Sequence, residues 1–166
     1  MVNGRTVPPP PVDAKVQTSH VREMAANLLL GRALHALDAA GGVVRYRDVD
    51  GRWNRDQLVL PQRPDRLAEL GPLLDALVAW ALHSEQPAVI GDLARSRWSR
   101  HLLQGGDPPN GSAAAVPLAQ RGAIWGALAV YRPQRALDSM ELRGKLAELA
   151  TEPLSSLDSS RPEGVG

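Results

Sequence analysis

Ser112–Pro133 reads SAAAVPLAQRGAIWGALAVYRP. It holds two strand-suited runs, Ser112–Leu118 and Ala123–Tyr131, with a turn at Ala119–Gly122 between them. Apolar runs of this length flanking a glycine-bearing turn predict an antiparallel hairpin. Period-two alternation along the second run puts Trp125 and Tyr131 on one face and Ile124, Leu128 and Val130 on the other. Pro117 has no N–H for a ladder, so it predicts an edge, a bulge or a strand end.

Working outward, a second hairpin is read at Gly42–Arg47 (GVVRYR), the turn Asp48–Gly51 (DVDG) and Arg52–Leu60. Ala88–Asp92 (AVIGD) predicts one more short strand. A helix is expected over about residues 19–40, capped by Ser19. Met24, Leu28, Leu30, Leu34 and Leu37 give it a broad apolar face, and Gly41 and Gly42 stop it. After a break at Pro61–Pro64, Pro72 opens a second, largely buried helix, Leu73–His83, ended by Pro87. Trp80 shares helical spacing with Leu73 and Leu77 and is read as core. Leu93–Leu103 suggests a short helix and Gln104–Gly111 a loop. Asp138 followed by Glu141 fits the start of a final helix, with Leu142, Leu146 and Leu149 as its stripe and Pro153 near its end. The order is that of an α+β fold: a central antiparallel sheet of five to six strands with helices against it.

The chain has 166 residues with no cysteine and a formal net charge of +1. Disulfides, thiolate metal sites and thiol catalysis are thereby excluded. The charge is too small to imply a nucleic acid or a membrane surface as partner. Met1–Pro11 is polar and proline-rich, unlike a secretory signal, and the apolar stretch Met24–Ala40 is broken by Arg32, His35 and Asp38. A cytoplasmic location is the expectation. The division expected is a flexible leader at 1–18, one domain at 19–152 and a disordered tail at 153–166.

GGVVRYRDVDGRW, WALHSEQPAVIGDL and SAAAVPLAQRGAIWGALAVYRP, in that order, make the chain resemble the GAF domain family over about residues 20–152. PAS-like and roadblock-like folds share part of this logic. The resemblance implies terminal helices on one sheet face and a small-molecule pocket on the other. It also implies a sensory or regulatory role, without catalysis, through an attached or partner effector. Family members bind cyclic nucleotides, bilins, haem or metabolites, or bind nothing and serve as dimerisation modules. The missing cysteine speaks against a covalently linked bilin and against the sulfoxide-reductase branch. The missing phenylalanine rules out the Asn-Lys-Phe-Asp-Glu signature of the cyclic-nucleotide branch. An effector domain does not fit in this length, so a partner chain or a longer parent chain is implied.

Four histidines lie at no metal-ligand spacing, and neither a nucleophile elbow nor a phosphate-binding loop is present. The chemistry concentrates in Asp92–His101 (DLARSRWSRH). Asp92, Arg95, Trp98, Arg100 and His101 are the candidate ligand-binding residues: guanidinium forks for phosphate or carboxylate, an indole for a flat ring. The plain alternative is a surface helix with Trp98 packed onto the sheet. One histidine, His101, beside three arginines is thin support for a haem ligand. The partners expected are an unidentified small molecule, a second copy through the terminal helices, and an effector protein.

Overall fold

The computed structural model describes residues 12–59, 67–102, 109–136 and 138–151. The proline break at 61–64, most of the 104–111 loop, the leader up to residue 11 and the tail 153–166 lie outside them. The elements run α1 (Val12–Ala36), β1 (Gly41–Arg47), β2 (Trp53–Val59), α2 (Leu67–Ser84), β3 (Ala88–Ile90), a 3₁₀ turn (Leu93–Arg95), α3 (Arg97–Leu102), β4 (Ser112–Gln120), β5 (Ala123–Arg132) and α4 (Ser139–Ala150). The five strands form one sheet in the order β2-β1-β5-β4-β3, antiparallel at every pairing. This is the expected α+β sheet with its terminal helices, α1 and α4, on one face. The other face carries α2, α3 and the 3₁₀ turn.

Both expected hairpins are present. At the first, Asp48 Oδ1 accepts from the N–H groups of Asp50 and Arg52 at 2.9 and 3.0 Å. These donors, Arg52 first, hold its carboxyl below the ordinary carboxylate range. At the second, Arg121 and Gly122 have φ of 53° and 81°, so the two-residue loop is the left-handed kind that matches strand twist. Pro117 pairs with Ala127 of β5, beyond the end of β3, which reaches only Ala115. The outer edge of β4 therefore asks no ladder hydrogen bond of it.

The register slips between Leu118 and Ala119: Leu118 faces Gly126, Ala119 faces Ile124, and Trp125 is the extra residue. This corrects the expected shared face of Trp125 and Tyr131. A bulge shifts the alternation by one, so Trp125 joins the core under α1 and α4, while Tyr131 lies in the core under α2. Gly126, beside the bulge, is required by close approach. A Cβ there would collide with the Arg45 carbonyl of β1 and lie 3.1 Å from the Tyr46 Cα.

α1 spans Val12–Ala36 rather than 19–40. No glycine or proline interrupts 12–18, so the helix extends into the stretch read as leader. Its stop is Asp38, at φ 51°, with Ala39 N–H donating to the Leu34 carbonyl at 2.9 Å. Gly41 and Gly42 already belong to β1. Leu30, Leu34 and Leu37 are buried as expected, but Leu28, about 160° around the helix from Leu30, is 38% exposed.

α2 opens at Leu67, five residues before Pro72, which sits inside the helix. At 100° per residue its buried positions span about 140°, from Leu73 round to Val78. Trp80 falls about 20° outside that arc and is 40% exposed, which corrects its reading as core. α4 starts as expected: Asp138 Oδ1 accepts from the N–H groups of Met140 and Glu141 at 3.0 and 3.1 Å. Leu142 and Leu146 are buried within the domain, and Leu149 packs against the same core.

Candidate functional site

The Asp92–His101 segment leaves the sheet at β3 and is anchored from both ends. Leu93 donates its N–H to the Gly111 carbonyl at 2.9 Å and is fully buried in the α2-side core. Ser99, also fully buried, donates its hydroxyl to the Leu93 carbonyl at 2.7 Å. Ser96 Oγ accepts from the Ser99 N–H at 3.3 Å, capping α3. These two serines fix α3 against the 3₁₀ turn, and sequence reasoning passed them over. Their signal was the short-polar pair Ser96-x-x-Ser99, the spacing of a helix cap and its third residue.

Asp92 precedes the 3₁₀ turn, and its side chain caps nothing. Instead its Oδ2 stands 3.9 Å from Arg95 Nε and 3.7 Å from Arg135 Nη1. Arg135 leads into α4 and was not among the sequence candidates. The root of the segment is fastened there a second time: Ala136 N–H donates to the Gly91 carbonyl at 2.9 Å. A Cβ on Gly91 would stand 2.8 Å from Ser139 Oγ. The segment and the start of α4 are thus in direct contact.

The other candidates divide. The Arg95 side chain is 85% exposed, so its long ion pair with Asp92 holds it weakly. Arg100 turns back, one terminal nitrogen donating to the Ala94 carbonyl at 3.2 Å, with the rest of the fork outward. His101 is exposed. Trp98 is mostly buried against the α2-side core and meets Trp80 edge to face, ring centroids 6.3 Å apart at 64°. The structure thus places Asp92 and Arg95 together and Trp98 with Trp80. Beneath them, Leu73, Leu74 and Leu77 of α2 close over Ala113, Ala115, Ala127 and Ala129 of the sheet, all buried.

Among the described residues no group of three or more His, Asp or Glu is placed to hold a metal ion, and no helix is long and apolar enough to cross a membrane. No curated protein matches the sequence. Solved structures do resemble the fold. The GAF domain region of a putative membrane protein from Geobacter sulfurreducens is 18% identical, with 90% of this chain and 99% of that one covered at a TM-score of 0.57. The photoproduct state of GAF3 from Slr1393 of Synechocystis is 13% identical, covering 87% and 98% at 0.54. The GAF domain of an Acinetobacter phosphoenolpyruvate-protein phosphotransferase is 17% identical, covering 93% and 95% at 0.51. At such identities the likeness establishes the fold alone. The sequence itself matches the GAF domain family across residues 20–152, and with sheet, helices and sequence agreeing, the chain belongs to that family.

Proposed function

We propose that this chain is a non-catalytic regulatory module that takes a flat anionic small molecule on the Asp92–His101 segment and passes its occupancy to α4. From there the signal reaches an effector protein or a second copy through the terminal helices. The observation that carries this reading is the shared Asp92 carboxylate. A ligand anion that draws Arg95 away changes the partner set of Asp92, and Arg135 at the root of α4 feels the change. Arg95 and Arg100 supply donors facing solvent, and the Trp80–Trp98 pair supplies an aromatic surface beside them.

Mass spectrometry under native conditions, on protein purified from its own host, tests this directly. A stoichiometric small molecule whose affinity falls by about 1.5–3 kcal/mol in Arg95→Ala, the range for a charged hydrogen bond, supports the reading. Full affinity in the double variant Arg95→Ala and Arg100→Ala refutes it.

A second reading is a ligand-free dimerisation module. It is favoured by the closed leucine-on-alanine packing under α2 and by Val21 and Leu28, 37% and 38% exposed on α1. These two lie seven residues apart and so share one helix face. An apo dimer in the same measurement, loosened by Leu28→Glu, supports this second reading over the first.

A further inference from the structure

On the opposite side of the sheet, where α1 ends and α4 begins, a groove of about 320 Å³ lies between the two helices and the end of β5. Its floor is apolar, formed by Leu37, Ala136 and Leu142. Its rim carries three cations, Arg132, Arg135 and Lys145, and three carboxylates, Asp38, Asp138 and Glu141. Some of these are spent within the protein. Asp138 caps α4, and Lys145 pairs with Glu141 at 3.2 Å.

The remaining groups keep unused capacity of both signs. Arg132 gives its Nε to the Leu37 carbonyl at 2.8 Å and has no carboxylate partner among the described residues. Among the described residues Arg135 has only the long contact to Asp92. Asp38 uses Oδ2 to accept from Gln134 Nε2 at 2.9 Å, and its Oδ1 takes no hydrogen bond from the described residues. Gln134 Oε1, in the same corner, is buried with no partner, so the corner is short of a donor. Asp38 also stands at the carbonyl end of α1, where the helix favours positive charge. A purely anionic or purely cationic ligand meets as many repelling as attracting groups on this rim. A dipolar one does not.

We propose that this groove binds a small zwitterion of the aliphatic α-amino-acid class. Its carboxylate lies on Arg132 and Arg135, its ammonium on Asp38, and its side chain over Leu37, Ala136 and Leu142. The groove shares Arg135 with the contact to Asp92, but no residue of Asp92–His101 lines it, and it stands whether or not that segment binds a ligand.

The test is an NMR titration of the full chain with L-valine, and in parallel with isovalerate and isobutylamine, which each lack one of its two charges. Saturable shifts are expected at Asp38, at Arg132–Ala136 and in the first turn of α4, with both analogues about tenfold weaker or more. Arg135→Gln and Asp38→Asn should each weaken L-valine about tenfold or more. Asparagine tolerates the left-handed backbone of residue 38, so that variant keeps the α1 stop. Arg52→Gln, in the distant β1–β2 turn, should bind as the parent does. The proposal is overturned by absence of saturable shifts up to about 10 mM, affinity so weak that it means no site. Equal binding of either analogue, or shifts confined to residues 92–101, also overturns it.

Discussion

Trp98 is either a platform for a ligand ring or a packed side chain, and its contact with Trp80 allows the two to be separated by energy. A tryptophan fully removed from water buries about 150–250 Å². Trp98 is mostly buried, so roughly 100–200 Å² is covered, worth about 2.5–5 kcal/mol at about 25 cal/mol per Å². Compactness of the unfolded chain trims this by about 10–40%, leaving about 1.5–4.5 kcal/mol for Trp98→Ala. Trp80, 40% exposed, covers roughly 90–150 Å² and should cost about 1.5–3 kcal/mol on the same arithmetic. The edge-to-face geometry at 6.3 Å adds a coupling of about 0.5–1.5 kcal/mol. The measurement is a double-mutant cycle, Trp80→Ala against Trp98→Ala, by urea denaturation followed by circular dichroism. That probe does not depend on the fluorophores being removed. A coupling below about 0.3 kcal/mol, within the error for independent sites, together with a Trp98→Ala loss under about 1 kcal/mol would refute the packing assigned here. Trp98 would then be a ring held free for something else.

Other outcomes follow from single positions. Gly126→Ala should lose at least about 2 kcal/mol in denaturation, because the new methyl meets the β1 backbone, hydrogen-bonded on both sides. Gly144→Ala in α4 has nothing within 4 Å and should gain about 0.5–1 kcal/mol. Asp138→Ala removes the cap of α4 and should cost about 1 kcal/mol, read as a lower melting temperature. Burial first, and then the Asp56 carboxylate, push the Tyr46 hydroxyl up to about 12 from 10.0. The folded state holds that proton more tightly, so the stabilisation is complete below pH 10 and is lost as pH rises from 10 to 12. It amounts to at most about 3 kcal/mol. Denaturation between pH 8 and 11.5 should show the fall in the parent and a smaller one in Tyr46→Phe.

The sheet was legible in the sequence because its two hairpins carry their own turn chemistry. Asp48 to Gly51 and Arg121-Gly122 demand turns at positions that composition alone marks. Alternation failed at Trp125, where one extra residue reverses the faces. A bulge leaves no local mark except a glycine, Gly126, whose need arises from a strand 80 residues earlier. Helix ends were misread where a residue took an unusual role: Asp38 supplied the left-handed stop expected of Gly41, and Pro72 sat inside α2. In the site, the charged residues of Asp92–His101 were visible as a cluster. Arg135 was not, because its place beside Asp92 is set by the packing of α4 against the end of β3. Trp80 shows the limit of heptad spacing, since 20° of rotation separates a buried Leu73 from an exposed indole.

The two faces of the sheet differ in size pattern. The face under α2 is built of Ala113, Ala115, Ala127 and Ala129, and α2 brings Leu70, Leu73, Leu74 and Leu77 to it. The face under α1 presents Val44, Tyr46, Val116, Leu118, Leu128 and Val130, and α1 brings Ala25, Ala26 and Ala33 among its leucines. Under α2, large side chains of the helix meet small ones of the sheet. Under α1, Leu29, Leu30 and Leu34 lie among those alanines, and both partners bring large side chains. Among the described residues, unspent donors and acceptors lie at the rim of the sheet. They gather at the 3₁₀ turn and α3 on one side and at the junction of α1 and α4 on the other. Both places touch the root of α4 through Arg135.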